Sequence, residues 1–170
     1  MTQTQPPARV RTYSWEDPSV SAAAMAHRSG LEILKAISTG EIPAPPVMHT
    51  LGISGVEVDD GRMIFCLEPQ EFHYNPLGTV HGGVLATLLD SAAGCAVHTT
   101  LPAGVAYTSL DLTTKFLRPV TVRSGTLRCE GTVLSRGSRV ALAQAQVFDG
   151  AERLVAHATS SCLIFPIEAF

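Results

Sequence analysis

Lysine is nearly absent from this chain. Only Lys35 and Lys115 occur among 170 residues, and the other basic residues are arginines. The formal charge of −3 and a pI near 6.0 exclude the basic footprint of a nucleic-acid binder. Charged residues make up only 16% and hydrophobic ones 45%, which excludes a disordered chain and suits a globular one. No run approaches the roughly 20 apolar residues of a membrane span. The N-terminal stretch MTQTQPPARVRTYSWEDPS lacks the apolar centre of a signal peptide. A cytoplasmic protein with neither a nucleic-acid nor a membrane partner is expected. Cys66, Cys95, Cys129 and Cys162 form no CxxC pair, so reduced buried thiols are expected, with no metal and no cofactor. His27, His49, His73, His98 and His157 show no ligand spacing. G-x-S-x-G, P-loop and HExxH motifs are missing too, which removes the serine esterases, the P-loop nucleotide enzymes and the zincins.

What remains has a clear order. Residues 1–20 carry Pro6, Pro7 and Pro18 without periodicity and read as a flexible N-terminal arm; 21–170 read as a single domain. A helical stripe (Leu31, Leu34, Ile37) predicts a helix over 21–38, stopped at Gly40. Pro43, Pro45 and Pro46 predict that 41–50 is not helical. Strands are expected over 51–58 and 62–67, joined by the hairpin signal Asp59-Asp60-Gly61. A long apolar helix is expected from Gly82 to about Thr100, then four strands over 106–117, 122–135, 138–148 and 153–165, antiparallel because their connectors are short. A helix apolar nearly all round needs cover on most sides, and a curled antiparallel sheet provides it. Ala92, Ala93 and Gly94 would admit a close neighbour on the remaining face.

The chemistry concentrates in Asn75–Asp90, NPLGTVHGGVLATLLD. A glycine-rich helix start exposes backbone N–H groups and the positive end of the helix dipole, which suits an oxyanion or a polarised carbonyl. Asp90 is the single acid of the helix, and a carboxylate among apolar residues is costly to desolvate without a function. Together these point to acyl transfer or hydrolysis. Arg118, Arg136 and Arg139 are candidates for phosphate binding, because the guanidinium fork matches phosphate geometry, and solvated strand ends are the alternative.

The string Asn75-x-x-Gly78-Thr79-x-His81-Gly82-Gly83 with Asp90 resembles the PaaI-type branch of the hotdog-fold acyl-CoA thioesterases. The block Ser109-x-Asp111-Leu112-x-x-x-Phe116-Leu117-Arg118-Pro119 is similar to the same branch, as is the segment from Gly40 through Ala44-Pro45-Pro46 to Gly52. The resemblance covers about residues 30–165. It implies an α+β hotdog fold, a curved antiparallel β-sheet wrapped around a long central helix, assembled as a homodimer and often a homotetramer. It implies hydrolysis of an acyl-CoA to the free acid and CoA. Asp90 matches the catalytic acid and Gly82 the N–H on the thioester carbonyl. Asn75 and His81 match polar residues near the reacting centre, and Ser109 a hydroxyl near the catalytic water. The three arginines would then hold the CoA phosphates.

Helix geometry leads to the dimer independently. Gly82 and Asp90 lie eight residues apart, which is roughly 12 Å of rise. A carbonyl oxygen sits about 3 Å from its N–H donor. One Asp side chain does not close the remaining gap within its own helix. A second, antiparallel copy of the helix brings its Asp90 to this Gly82, which predicts two equivalent sites per dimer. Asp90 acts there as general base on water or as nucleophile. Two other readings compete: a non-catalytic acyl-CoA-binding or sensing hotdog domain, which the lone acid disfavours, and a hotdog hydratase, disfavoured because His81 stands beside Gly82 and not beside Asp90.

Overall fold

The computed structural model describes residues 8–167. Three short helices come first: α1 (Ser19–Ala24), α2 (Gly30–Ser38) and α3 (Pro46–Leu51). The hairpin β1 (Ile53–Asp59) and β2 (Arg62–Leu67) follows, then the central helix α4 (Gly82–Thr99). Five strands complete the chain: β3 (Val105–Ser109), β4 (Thr113–Phe116), β5 (Leu127–Arg136), β6 (Val140–Phe148) and β7 (Leu154–Pro166). All pairings are antiparallel in the order β1-β2-β5-β6-β7-β3, with β4 also on β7. The sheet wraps α4 in the hotdog arrangement that the resemblance implies.

The sheet grips the helix through small residues. Ala141, Ala143 and Ala145 of β6 and Leu88, Leu89, Ala92, Ala93 and Ala96 of α4 are buried together. A Cβ on Gly131 of β5 would sit 2.1 Å from the Ala92 carbonyl oxygen, so the strand backbone packs directly on the helix backbone. Ala92 and Ala93 therefore admit strand β5 of the same chain. Gly94 admits the ring of Tyr107 from β3, which a Cβ there would meet at 2.7 Å.

Four expectations need correction. The helix over 21–38 is two helices, because Ser29 starts α2: its hydroxyl accepts from the Glu32 N–H and the Glu32 carboxylate accepts from the Ser29 N–H. The proline-rich 41–50 segment does contain a helix. Pro46 stands at the first position of α3, where no donor is needed, and Gly52 (φ 71°) ends it. The strand expected over 106–117 is broken at 110–112, where the Asp111 carboxylate accepts from the Ser161 N–H and its carbonyl accepts from the Ser160 hydroxyl. Asp111 thus lies outside the strand instead of two places along it from Ser109. Finally, 122–135 opens with a 3-10 turn at Val122–Ser124 before β5.

Residues 1–7 of the expected arm lie outside the described residues. Residues 8–17 run without helix or strand. There Arg9 pairs with Glu71, while the Arg11 guanidinium donates to the carbonyls of His49 and Thr50 and lies 4.2 Å from the centre of the Phe72 ring. None of the described helices is long and apolar enough to cross a membrane.

Candidate active site

The start of α4 is pinned from both sides. The Val80 N–H donates to the Val120 carbonyl and the His81 N–H to the His73 carbonyl. His81, extended at φ −61° and ψ 137°, is the N-cap, and its Nδ1 accepts from the Gly83 N–H at 2.9 Å. Its neutral tautomer therefore carries the proton on Nε2. Gly83 and Val84 spend their N–H groups on His81. The Gly82 N–H, at the first helical position, has no partner among the described residues.

The loop before the helix is closed by Asn75. Its Oδ1 accepts from the N–H groups of Leu77 (2.9 Å) and Thr79 (3.3 Å), and its Nδ2 donates to the Thr79 hydroxyl at 3.0 Å. Gly78 (φ 76°) allows the turn. Asn75 is thus a turn-former, and its second Nδ2 proton has no partner among the described residues. Asn75, Gly82, Phe116, Arg118 and Val120 line one cleft of about 350 Å³. Phe116 forms its wall so closely that a Cβ on Gly82 would meet the ring at 3.1 Å. Phe116 belongs to the Phe116-Leu117-Arg118-Pro119 block, and nothing local in the sequence places it over this amide.

Asp90 lies in a different cleft, of about 360 Å³, with Ala86, Thr87, Ser109 and Asp111. The Ser109 hydroxyl donates to Asp90 Oδ1 at 2.8 Å, which joins α4 to β3. Oδ2 has no partner among the described residues. Asp90 is half-buried, with one side open in the single chain. The structure thus brings Asn75, His81 and Gly82 together, and Asp90 and Ser109 together, but does not join the two groups within one chain.

The arginines do not converge either. The Arg118 N–H bonds to the Val155 carbonyl, whereas the Arg139 carbonyl accepts from the Ile164 N–H, nine residues along β7. That separation is roughly 30 Å. Arg136, at the end of β5, and Arg139, in the β5–β6 turn, are exposed, and of the three only Arg118 adjoins the Gly82 cleft.

The thiols are poor nucleophiles. Burial pushes Cys95 up to about 12 and raises Cys129, Cys162 and Cys66 as well. The Tyr107 hydroxyl, beside Cys95 and Asp90, is raised well above the usual phenol range, first by burial and then by neighbouring thiols. No group of three or more His, Cys, Asp or Glu among the described residues could hold a metal.

The thioesterase superfamily model matches residues 77–156, which include the Asp90 cleft and, apart from Asn75, the Gly82 cleft. A candidate esterase of Halobacterium salinarum is 36% identical over 118 residues, covering 66% of this chain and 76% of the relative. The crystal structure of a candidate thioesterase from Ralstonia eutropha, a phenylacetic acid degradation-related protein, is 32% identical. It covers 76% of this chain and 98% of its own, with a TM-score of 0.70. The PaaI protein of the E. coli phenylacetic acid degradation operon shares the fold at 22% identity, a TM-score of 0.70 and 81% and 95% coverage. The chain belongs to the thioesterase superfamily, as a thioester hydrolase of the PaaI-type hotdog branch.

Proposed function

We propose that the chain hydrolyses acyl-CoA thioesters, with an aromatic or short to medium acyl group, at two equivalent sites of a homodimer. The observation that carries this is the split site. A free N–H opens α4 at Gly82, and a hydroxyl-held carboxylate with one open oxygen lies eight residues on, in another cleft. Neither half is complete, and a two-fold axis perpendicular to α4, which sets a second copy of the helix antiparallel to the first, completes both.

The surface beside Asp90 suits that pairing. Gly83, Ala86, Thr87 and Ser91 form a stripe of small residues on α4 that the chain's own sheet leaves uncovered. The adjacent β3–β4 edge exposes Leu110 and Phe116 to 58% and 54%. An unpaired edge with large apolar side chains is a pairing surface. Leu134, Val140 and Leu142, exposed on the outer sheet, provide a second surface for joining dimers into a tetramer.

In this site the Gly82 N–H and the helix dipole stabilise the oxyanion that forms when the thioester carbonyl is attacked. Asp90 of the facing subunit supplies the reacting oxygen, Oδ2. It either takes a proton from water or attacks the carbonyl itself. Ser109 fixes the carboxylate and holds the water. The free Nδ2 proton of Asn75 and the Nε2–H of His81 face the substrate's polar groups. Thiolate leaves without strong acid assistance. CoA enters over Phe116, with Arg118 as its phosphate contact; Arg136 and Arg139 reach a CoA only across the assembly.

The test is steady release of CoA, followed with a thiol reagent, from a panel of acyl-CoAs. Asp90→Asn should abolish release while the protein keeps its circular dichroism and oligomeric state. Unchanged turnover in Asp90→Asn removes the acid from the mechanism, and a fully active monomer removes the shared site.

A further inference from the structure

The arm of residues 8–17 is tied to the body of the protein at one place above all. The Arg11 guanidinium donates to the carbonyls of His49 and Thr50, and it lies 4.2 Å from the centre of the Phe72 ring and 4.7 Å from that of Tyr13. His49 and Thr50 belong to α3, a six-residue helix with no buried residue. So short a helix does not hold itself in water, and the last carbonyls of any helix lack intrahelical partners. Here the final three are all taken by side chains: those of His49 and Thr50 by Arg11, and that of Leu51 by His73 Nε2 at 2.8 Å.

His73 carries the connection onward. Its other ring nitrogen, Nδ1, accepts from the Gln70 N–H, and the Phe72 ring meets it edge-on with centres 4.2 Å apart. Its carbonyl accepts from the His81 N–H at 2.8 Å. His81 is the N-cap of α4, and the next residue is Gly82, whose amide has no partner among the described residues. A relay therefore runs from Arg11 through the end of α3, His73 and His81 to the Gly82 amide. No described residue of the arm lines either cleft, so the arm reaches the reaction through this relay and not through the substrate.

We propose that Arg11 and His73 are positioning residues for the oxyanion amide: the arm clamps the end of α3, α3 fixes His73, and His73 fixes the direction of the Gly82 N–H. The inference rests on the oxyanion role given to that amide above and extends the site to a segment that the family resemblance leaves out.

Arg9 supplies the contrast. Its pair with Glu71 is exposed on both sides, at 73% and 60%, and an exposed pair contributes little. Arg9→Ala should therefore leave turnover as it is. Arg11→Met keeps an unbranched stem over Phe72 and deletes both bonds to α3. A 1 Å misplacement at a reacting group costs about 100-fold, and a loosened relay moves the amide by less, so kcat on the preferred acyl-CoA should fall about 10-fold. KM should change little, because the arm touches no substrate. Arg11→Lys, which returns a donor to the carbonyls, should recover part of the loss.

The deciding measurement repeats Arg11→Met in Gly82→Pro, which removes the N–H at a first helical position preceded by an already extended residue. With no amide left to aim, Arg11→Met should cost nothing further in kcat. His73→Leu, which deletes both ring bonds, should lower kcat as well, and adding Arg11→Met to it should do no more, because members of one relay are not additive. All rates are taken below the onset of unfolding of each variant, followed by circular dichroism. A general weakening of the fold lowers both backgrounds alike, so an equal further loss in Gly82→Pro overturns the proposal, as does an unchanged kcat in Arg11→Met. Gly82→Pro as active as wild type overturns instead the oxyanion reading beneath it, and no CoA release from any acyl-CoA overturns the acyl-CoA reading.

Discussion

Ser109 and Asp90 are joined by a 2.8 Å hydrogen bond from hydroxyl to carboxylate, and this bond ties the edge strand β3 to the central helix. It occupies Oδ1 and leaves Oδ2 open. A hydrogen bond to a charged group contributes about 1.5–3 kcal/mol, which corresponds to roughly 10- to 100-fold in rate if it is lost in the transition state. Ser109→Ala should lower kcat on that scale, with a smaller change in KM, because the carboxylate and its water lose their fixed orientation. Ser109→Thr should recover part of the loss. Steady-state kinetics on the preferred acyl-CoA checks both, and a loss confined to KM would assign Ser109 to binding.

The Gly82 amide makes a separate prediction. Gly82→Ala keeps the N–H but pushes a methyl group towards the Phe116 ring, 3.1 Å away. The ring is exposed and can yield, so the helix forms and turnover drops through the narrowed cleft. Gly82→Pro removes the donor outright at a position where proline suits a helix start. Loss of one oxyanion donor costs on the order of 100- to 1000-fold in kcat. The expected order is therefore wild type, Gly82→Ala, Gly82→Pro, with thermal unfolding little changed in the last. Equal activity in Gly82→Pro and wild type would show that this amide does not touch the carbonyl.

Gly131 makes a prediction about stability alone. Any side chain there runs into the Ala92 backbone at 2.1 Å, and backbone does not move aside as a flexible side chain does. Gly131→Ala should separate β5 from α4 and cost about 3 kcal/mol or more, at or beyond the upper end of core overpacking. Gly61→Ala touches nothing within 4 Å and serves as the comparison, although its positive φ of 72° carries its own strain. Urea midpoints of the two variants should differ clearly, with Gly131→Ala the lower.

The parts of this fold legible in the sequence are those fixed locally. The Asp59-Asp60-Gly61 turn set the β1–β2 hairpin, and the apolar run after His81-Gly82 set α4 almost to the residue. Two of the corrected elements are local as well: Ser29-x-x-Glu32 is a capping box that starts α2, and Pro46, a breaker inside a helix, opens α3 from its first position. The rest was not available locally. The break between β3 and β4 depends on Asp111 bonding to Ser160 and Ser161, about fifty residues away, while the alternation runs on because both segments line the same edge of β7. At the site, the sequence named Asp90, Gly82 and Ser109. It could not place Phe116 against Gly82, or the Tyr107 ring against Gly94. Those contacts arise only when the sheet closes on the helix.

Acidification should weaken the fold before any carboxylate titrates. His73 is buried, its Nδ1 accepts from the Gln70 N–H at 3.0 Å, and its Nε2 donates to the Leu51 carbonyl at 2.8 Å. That pattern fits only the neutral ring, since a second ring proton would face the Gln70 N–H. Burial holds the His73 pKa below its ordinary value, opposed by the Leu51 bond and aided by Arg11; burial alone does the same for His98. The unfolded chain, with an ordinary histidine pKa of about 6.5, then binds more protons than the folded one below that pH. Stability is complete above it and declines as pH falls through it towards the depressed folded values. The lowered carboxylates, Glu130 and Asp149 among them, add their loss only at lower pH. Urea midpoints should be flat from about pH 8 to 7 and fall between about 6.5 and 5. In His73→Gln the midpoint at neutral pH should be lower and the drop on acidification smaller, with His98 supplying the remainder. A wild-type midpoint that holds steady down to pH 5 would mean that neither ring is kept neutral by the fold.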